Sequence, residues 1–535
     1  MHYRKLLIVI CFLTSSMFVD AQRDSASFHV KSTFSGIATN GKLNALYSYS
    51  NTYGIYDPNY LDQSILHLSG DVTLLKKRQI NLDVGAGVVI NNHLNSSFLH
   101  ELYLKGNLWF IDYTIGKEAY SPLIINDNLS SGLLYWSSNS APIPRALVGI
   151  FNYLPIPFTK GWLEIKGGFG VGVLDDERES YGKSYPLIMD QSFYLRMGNS
   201  WIQPYMGLNH SALFGGKDAA GNPIPIDFWA TFFARGSAKL GGGEATNAAG
   251  GHVGFYDFGL HLTQDEMTAQ FYFQKPIRDG SSLYLNHGDN KDFTVGLSAK
   301  INEIKWLKEI SLEGFKTTYQ SGPGMLDVAY PEGHPKEGQL IFPNEIDNYD
   351  AFMLEEFGMV VTGWDKDDFV NYFSETYNHG YEYGGRDNYM NNGYYYAGWT
   401  YRGMVMGTPL FHTENQFEAY SGREYNPRRS VVVNNRITGF HIGLTGDIIR
   451  SLSYRTKYTY THNYGTYQDY FQGSMSWEEV PNYYYKDGLT QSYSFFELTK
   501  SHLYYDSLSL SLFLGYDWGD LYHAISGGFT LTHTL

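Results

Sequence analysis

The chain has 535 residues, with 39 Lys and Arg against 54 Asp and Glu, a formal net charge of -15 and a single Cys. Those numbers exclude a disulfide-stapled scaffold and a basic nucleic-acid binder. Charged residues make up 17% of the chain, where soluble domains carry about 25%, while aromatic residues also reach 17%, with 46 Tyr and 57 Gly.

The N-terminal residues 1–21 read as a secretory signal. Arg4 and Lys5 open it, an apolar run from Leu6 to Leu13 follows, and Val19-Asp20-Ala21 is a small-residue cleavage site before Gln22. Cys11 lies inside the apolar run, so a mature chain from Gln22 holds no thiol. No later stretch approaches the ~18 consecutive apolar residues of a membrane-spanning helix.

Beyond the signal the strongest regularity is alternation. Leu66, Leu68, Val72 and Leu74 alternate with His67, Ser69, Asp71 and Thr73; Lys76, Lys77 and Arg78 form a turn; and Ile80, Leu82, Val84, Ala86, Val88 and Ile90 alternate with Asn81, Asp83, Gly85 and Gly87. This predicts a hairpin with one oily and one polar face. The same period returns at Leu163, Ile165, Phe169, Val171 and Val173. The stretch Phe214 to Gly254, rich in Gly, Ala and Pro, is expected to be a mobile surface loop, because Gly241-Gly242-Gly243 lacks the Lys and Ser/Thr of a phosphate cradle. Alternation resumes at Met267, Ala269, Phe271 and Phe273 and at Phe293, Val295, Leu297, Ala299 and Ile301.

From about Gln320 to Arg436 the pattern lapses over too great a length for a simple loop, which predicts a folded insertion. Tyr349, Phe352, Met353 and Phe357, then Phe369, Phe373 and Tyr377 behind a capping Asp365, recur at helical spacing. Two short amphipathic helices are expected, either plugging a lumen or packing on its mouth. Next come Tyr381, Tyr383, Tyr389, Asn391, Asn392, Tyr394, Tyr395, Tyr396, Trp399 and Tyr401. Such rings offer sugars an apolar face and a polar handle, although a Tyr-rich loop core or an interfacial belt uses the same residues. The period of two then continues through Phe440, Ile442 and Leu444, Leu452 to Tyr460, Leu508 to Leu514, and Ile525 to Leu535.

A soluble sandwich and a lipid-facing barrel both alternate in this way. Several runs are ~10 residues long, enough to cross a bilayer on a tilt, where soluble strands have about 5 or 6. The polar face carries Asp83, Glu101, Asp112, Glu164, Lys166, Arg196, Arg455 and Lys457, costly in a dry core and suited to a wet lumen. Trp109, Tyr113, Trp162, Trp201 and Trp518 stand at strand ends, where interfacial girdles form. The fold class is therefore all-β, a transmembrane antiparallel β-barrel of the outer membrane spanning residues 22–535, with a helical and Tyr-rich insertion at 320–436. Its last strand closes on its first.

Particular strings carry a resemblance. Leu102-Tyr103-Leu104-Lys105, Ile115-Gly116-Lys117-Glu118, Ser138 to Arg145, Leu208-Asn209-His210 through Phe214-Gly215-Gly216, and Gly398 to Gly403, in order between Leu99 and Leu410, resemble the Wzi-type capsule-assembly family. That resemblance implies a barrel of about eighteen strands with a helical element, acting as an outer-membrane lectin that holds capsular or other surface polysaccharide. Arg145, Asn209, His210, Tyr394, Trp399, Tyr401 and Arg402 are the candidate polysaccharide contacts.

Arg145, Arg196 and Arg402 offer forks for the carboxylates of acidic sugars, or belong to a luminal ion ladder with Glu101, Glu118 and Glu164; for Arg196, mid-strand, the ladder is the stronger expectation. No Gly-x-Ser-x-Gly elbow or His-Glu-x-x-His helix is present, and Glu355-Glu356 and Asp367-Asp368 read as solvated helix faces. His93, His100 and His210 lack metal-ligand spacing. The expectation is a non-enzymatic binder without metal or cofactor, whose partners are polysaccharide and outer-membrane lipid and not nucleic acid. A channel for saccharides or other solutes, and an outer-membrane hydrolase, are its rivals.

Overall fold

A computed structural model of the chain describes residues 27–535 apart from 121–124, 179–181, 219, 241–247, 278–290, 321–327, 338, 342, 344–345, 378–387, 426–430 and 472–478. The signal segment, the Gly241–Gly243 cluster, Tyr381 and Tyr383 lie outside the described residues.

Eighteen strands form one sheet: β1 (Phe28–Gly41), β2 (Asp62–Lys77), β3 (Ile80–Asn91), β4 (Phe98–Leu108), β5 (Ile111–Lys117), β6 (Arg145–Pro155), β7 (Leu163–Val173), β8 (Leu187–Met197), β9 (Ile202–Phe214), β10 (Gly251–Thr263), β11 (Met267–Ile277), β12 (Phe293–Ile301), β13 (Glu309–Lys316), β14 (Ile437–Ile449), β15 (Leu452–Asn463), β16 (Leu489–Lys500), β17 (Leu508–Gly519) and β18 (Ala524–Thr534). Each pairs antiparallel with the next. β18 pairs back on β1, from Lys31 opposite Thr534 to Gly41 opposite Ala524, so the sheet closes and no edge is left for lipid to meet. The expected hairpin is β2–β3, with Leu66 opposite Ile90 and Lys77 opposite Ile80.

The barrel is oily outside and polar within. Leu74, Leu102, Phe193, Leu512 and Leu514 stand on the outer wall, 52–59% exposed, while Asp190, Asn209, Asp257, Glu313 and Lys457 are buried on the inner one; His210 faces outward beside Gln191, buried beneath the Phe228–Phe232 helix of the β9–β10 connection. Trp109, Trp162, Trp201, Trp306, Tyr504 and Tyr505 are exposed in the short turns at one end and form a girdle there. At the opposite rim Trp518 stacks on Tyr516 with ring centres 4.9 Å apart. Long connections leave only that rim, which makes it the outer, extracellular side of an outer-membrane barrel.

Two devices hold the wall. Gly207 and Gly296 sit directly opposite Tyr194 and Tyr272, and a Cβ at either would come within 2.3 or 2.2 Å of ring atoms, so only glycine lets these rings lie across the neighbouring strand. The second is the ion ladder. Arg196 meets Glu164 at 2.6 Å, Arg455 meets Glu497 at 3.1 Å and Lys105 meets Glu118 at 2.8 Å. Arg196 thus belongs to the ladder, whereas Glu101 instead accepts from the Ala119 backbone N–H at 2.9 Å.

The lumen is not filled by the expected helices. These form at Tyr349–Phe357 and Lys366–Tyr377, the first capped by Asn348 and the second by Asp365, whose side chain accepts from the Asp368 N–H at 3.0 Å. Their rings pack on one another and on Val328, Tyr330 and Ile341 in a cluster separate from the barrel core. Three other segments enter the lumen instead. The β5–β6 connection descends furthest: Asn126 donates to Glu309 at 3.1 Å near the short-turn end, the Ser131 N–H donates to Glu313 at 3.0 Å, and the Leu129 carbonyl accepts from His441 Nε2 at 2.5 Å. In the β1–β2 connection a helical turn, Leu46–Tyr49, sets the Leu46 N–H on Asp517 at 2.7 Å. The third segment, 388–413, seats Trp399 against Tyr135 and Trp136 of the β5–β6 connection and shares one core with both other segments.

The three segments share one apolar core. It includes Leu46, Tyr135, Trp136, Met390, Trp399, Met406 and Phe411, and it reaches wall residues around the whole circumference: Ile65, Val89, Ile188, Phe255, Phe315, Ile437, Phe495 and Phe513. Segment backbone polar groups are satisfied by the polar side chains of the inner wall, so a dry core can sit inside a hydrophilic cylinder.

Candidate functional site

The sequence-derived candidates separate by depth. Arg145 opens β6 with Asp190 at 3.4 Å and its guanidinium 5.4 Å from the centre of the Trp136 ring, and its other nitrogen donates to the Tyr120 carbonyl at 2.7 Å. Asp190 also accepts from Trp136 Nε1 at 2.9 Å, so Arg145 and Asp190 together fix that indole. Asn209 is buried and donates to the Tyr194 hydroxyl at 2.6 Å. His210 is buried against His252, nitrogen to nitrogen at 2.9 Å. Trp399 lies edge-on to Tyr135 and Trp136 and donates to the Tyr135 carbonyl at 2.5 Å. Trp136 thus joins the inward segments to the wall and Trp399 joins them to one another, whereas Asn209 and His210 tie neighbouring wall strands together.

Tyr401 is fully buried too, but it organises the mouth. Its hydroxyl donates to Asp175 at 2.5 Å and accepts from Lys117 Nζ at 3.3 Å. Burial alone would raise the Asp175 pKa; the Tyr401 hydrogen bond and the Lys117 charge outweigh it and hold the carboxyl below its ordinary value. Burial and the neighbouring Asp175 push the Tyr401 phenol upward. Thr400–Tyr401 and Met404–Val405 make a hairpin whose turn is Arg402-Gly403, both at positive φ. The Arg402 N–H donates to Asp176 at 2.8 Å, and its exposed guanidinium stands 4.1 Å from the Phe98 ring centre. Of the candidates, the exposed Arg402 and the partly buried Arg145 and Tyr394 reach solvent.

Beside this turn a cavity of about 210 Å³ opens at the outer mouth, lined among others by Lys42, Tyr49, Asn59, Asn139, Met404, Phe411, Asn415 and Gln416. Local sequence explains its shape. Gln416 completes a capping box with Thr413 at the start of helix Glu414–Ser421, accepting from the Thr413 N–H at 2.8 Å, while its amide nitrogen donates to the Tyr49 hydroxyl at 3.0 Å. Asn139 donates to the Val405 carbonyl at 2.9 Å, and its buried Oδ1 has no hydrogen-bond partner among the described residues. A buried acceptor in that state favours a ligand donor. Amides, an amine and a phenol line this cavity around apolar Met404 and Phe411; among the described residues its lining holds no carboxylate or imidazole. Asn139 falls within the Ser138–Arg145 string, but Asn59, Asn415 and Gln416 carry no signal in the sequence, because three distant segments converge to place them.

A second cavity, about 410 Å³, opens towards the short-turn end beneath the Asn126–Asn128 tip, where Tyr153, Lys166, Asp257, His261 and Glu309 face it.

No protein-family model matches the chain, nor does any curated protein. Among solved structures it is similar to Wzi, described as an outer membrane protein involved in group 1 capsule assembly in Escherichia coli and a carbohydrate-binding β-barrel, at 10% identity over 95% of this chain and 84% of that one, with a TM-score of 0.45. It is also similar to OccK5 of Pseudomonas aeruginosa, at 8% identity over 96% and 98% of the two chains with a TM-score of 0.42. For the outer membrane protein OprD of the same organism the values are 8%, 96%, 94% and 0.43. These likenesses concern the barrel and do not single out the Wzi-type family. By its own closed sheet, apolar outer wall and polar inner wall, the chain is an eighteen-stranded outer-membrane β-barrel.

Proposed function

We propose that this barrel is a non-catalytic, lectin-like holder of capsular or other surface polysaccharide, helping to attach or assemble a capsule, and that its outer mouth makes the contact. The observation that carries the proposal is the core running from wall to wall across the lumen: a cylinder filled by its own outer segments serves as an anchor and a platform. The cavity beside Arg402-Gly403 supplies what a neutral or acidic sugar needs, namely amide hydrogen bonds, apolar faces in Met404 and Phe411, and the cations Lys42 and Arg402 at the rim.

Asn59 and Asn415 lie on that cavity and support no strand. Replacing both with Ala should weaken binding of purified surface polysaccharide to the detergent-solubilised barrel about 30-fold, from lost hydrogen bonds worth roughly 1 kcal/mol apiece, while heat-modifiable migration persists. Unchanged affinity would remove the cavity from the binding site.

The channel reading draws on the 410 Å³ cavity at the short-turn end. It requires a path past the Asn126–Ser131 tip and through the core above it.

A further inference from the structure

We infer that the barrel wall holds a binding site for a divalent transition-metal ion of the zinc type, made by His67, His100 and Glu101. Their ligand atoms lie within 4.8 Å of one another, and they form the one such trio among the described residues.

The site exists because β4 is irregular. In an even strand successive side chains face opposite sides, so His100 and Glu101 could not both point inward. Along the β3–β4 pair, however, Gly87 is opposite Glu101 and Val88 is opposite Leu99, which leaves His100 as an extra residue in a bulge. The outcome is visible in exposure: Leu99 and Leu102 face out at 47% and 52%, while the side chains of His100 and Glu101 between them are 1% and 14% exposed. His67, on β2, comes to the same place from across β3, its ring 4.9 Å from that of His100 and edge-on to it. Gly87 stands between them. A Cβ there would be 3.2 Å from Glu101 Oε2 and 3.4 Å from His67 Nε2, so the missing side chain leaves room in front of the ligand atoms.

Hydrogen bonding leaves the right atoms available. The Tyr53 carbonyl sits 2.8 Å from His100 Nε2, so that nitrogen carries the proton and Nδ1 keeps its lone pair. Glu101 is held through one oxygen by the Ala119 N–H, and Oε2 lies 3.8 Å from His100 Nδ1. His67 Nε2 and His100 Nδ1 are buried and have no hydrogen-bond partner among the described residues. An imidazole fixed through its far nitrogen, and a carboxylate fixed through its far oxygen, are the supports that metal ligands ordinarily carry.

Two imidazole nitrogens and one carboxylate oxygen suit zinc-like ions better than calcium or magnesium, which take oxygen sets. Bonds of about 2.0–2.1 Å place tetrahedral ligands roughly 3.4 Å apart, so ligand atoms now within 4.8 Å of one another close by up to about 1.4 Å on binding, within the reach of side-chain rotation. Three ligands leave a fourth position for water or another oxygen donor.

The test uses the untagged, full mature chain, purified in detergent, stripped with chelator and titrated with Zn2+ alone by calorimetry, with metal content measured after gel filtration. One zinc per chain is expected. His67→Ala and His100→Ala should each weaken binding by more than the roughly 10–100-fold that loss of a supporting hydrogen bond costs, and His93→Ala, outside the trio, should leave it unchanged. Should an alanine variant fail to insert, Glu101→Gln and zinc-edge X-ray absorption on the wild-type chain decide instead, the latter showing two imidazoles and a carboxylate. Absence of stoichiometric zinc, equal binding by the His67 and His100 variants, or a shell lacking imidazole overturns the assignment.

Discussion

At Asp175 burial and hydrogen bonding oppose each other, and the Tyr401 hydroxyl and Lys117 ammonium prevail. A carboxyl whose folded pKa lies below its unfolded value of about 3.8 stabilises the fold above that value and loses the contribution as pH falls through the folded one. Protection of the Thr400–Val405 hairpin amides, taken relative to their intrinsic exchange rates, should therefore fall as the pH drops below about 4, with Asp175→Asn abolishing that step. A pH-independent protection factor would show that Asp175 does not anchor the hairpin. Trp399 is a second residue whose position sets its role. Since it is buried between Tyr135 and Trp136, Trp399→Ala should cost roughly 3–5 kcal/mol of local packing. Thermal melting should detect this as earlier loosening of the inward segments, with the barrel still assembled. Loss of glycan binding without any such loosening would instead make Trp399 a direct contact.

Among the elements, the Asn126–Ser131 tip matters most, because it carries the β5–β6 connection to the far end of the lumen. Its hold is polar, through Glu309, Glu313, His441 and Arg455. Replacing Glu313 with Ala removes the acceptor of Ser130, Ser131 and Tyr272, and proteolysis within 125–143 should then accelerate several-fold in the assembled barrel. Unaltered proteolysis would mean that the apolar core alone retains the segment. Many of the strands were legible in the sequence, because lipid on one side and polar groups on the other impose a period of two, on Leu66 to Leu74 as much as on Leu508 to Leu514. The helices at 349–357 and 366–377 were legible from their spacing, but their partners were not, and the plug is made elsewhere. Contacts such as Trp399 with the Tyr135 carbonyl join segments far apart in the chain, and local periodicity carries no record of them. The bulge at His100 is hidden for a related reason. It breaks the very alternation by which a strand is recognised, so His100 reads as one more polar position rather than as a neighbour of Glu101 on the same face.

For the whole molecule, the consequence of a closed sheet with a core inside it concerns permeability. A transport barrel keeps a wet path from mouth to mouth. Here the path is crossed by rings and aliphatic side chains that touch strands around the full circumference, including Ile65, Ile188, Phe315 and Phe513. Steady single-channel current of the purified full-length barrel in a planar bilayer measures this directly. A filled lumen predicts only brief, infrequent openings. Large, steady conductance in the intact protein would contradict the filled lumen and place the chain with the channels.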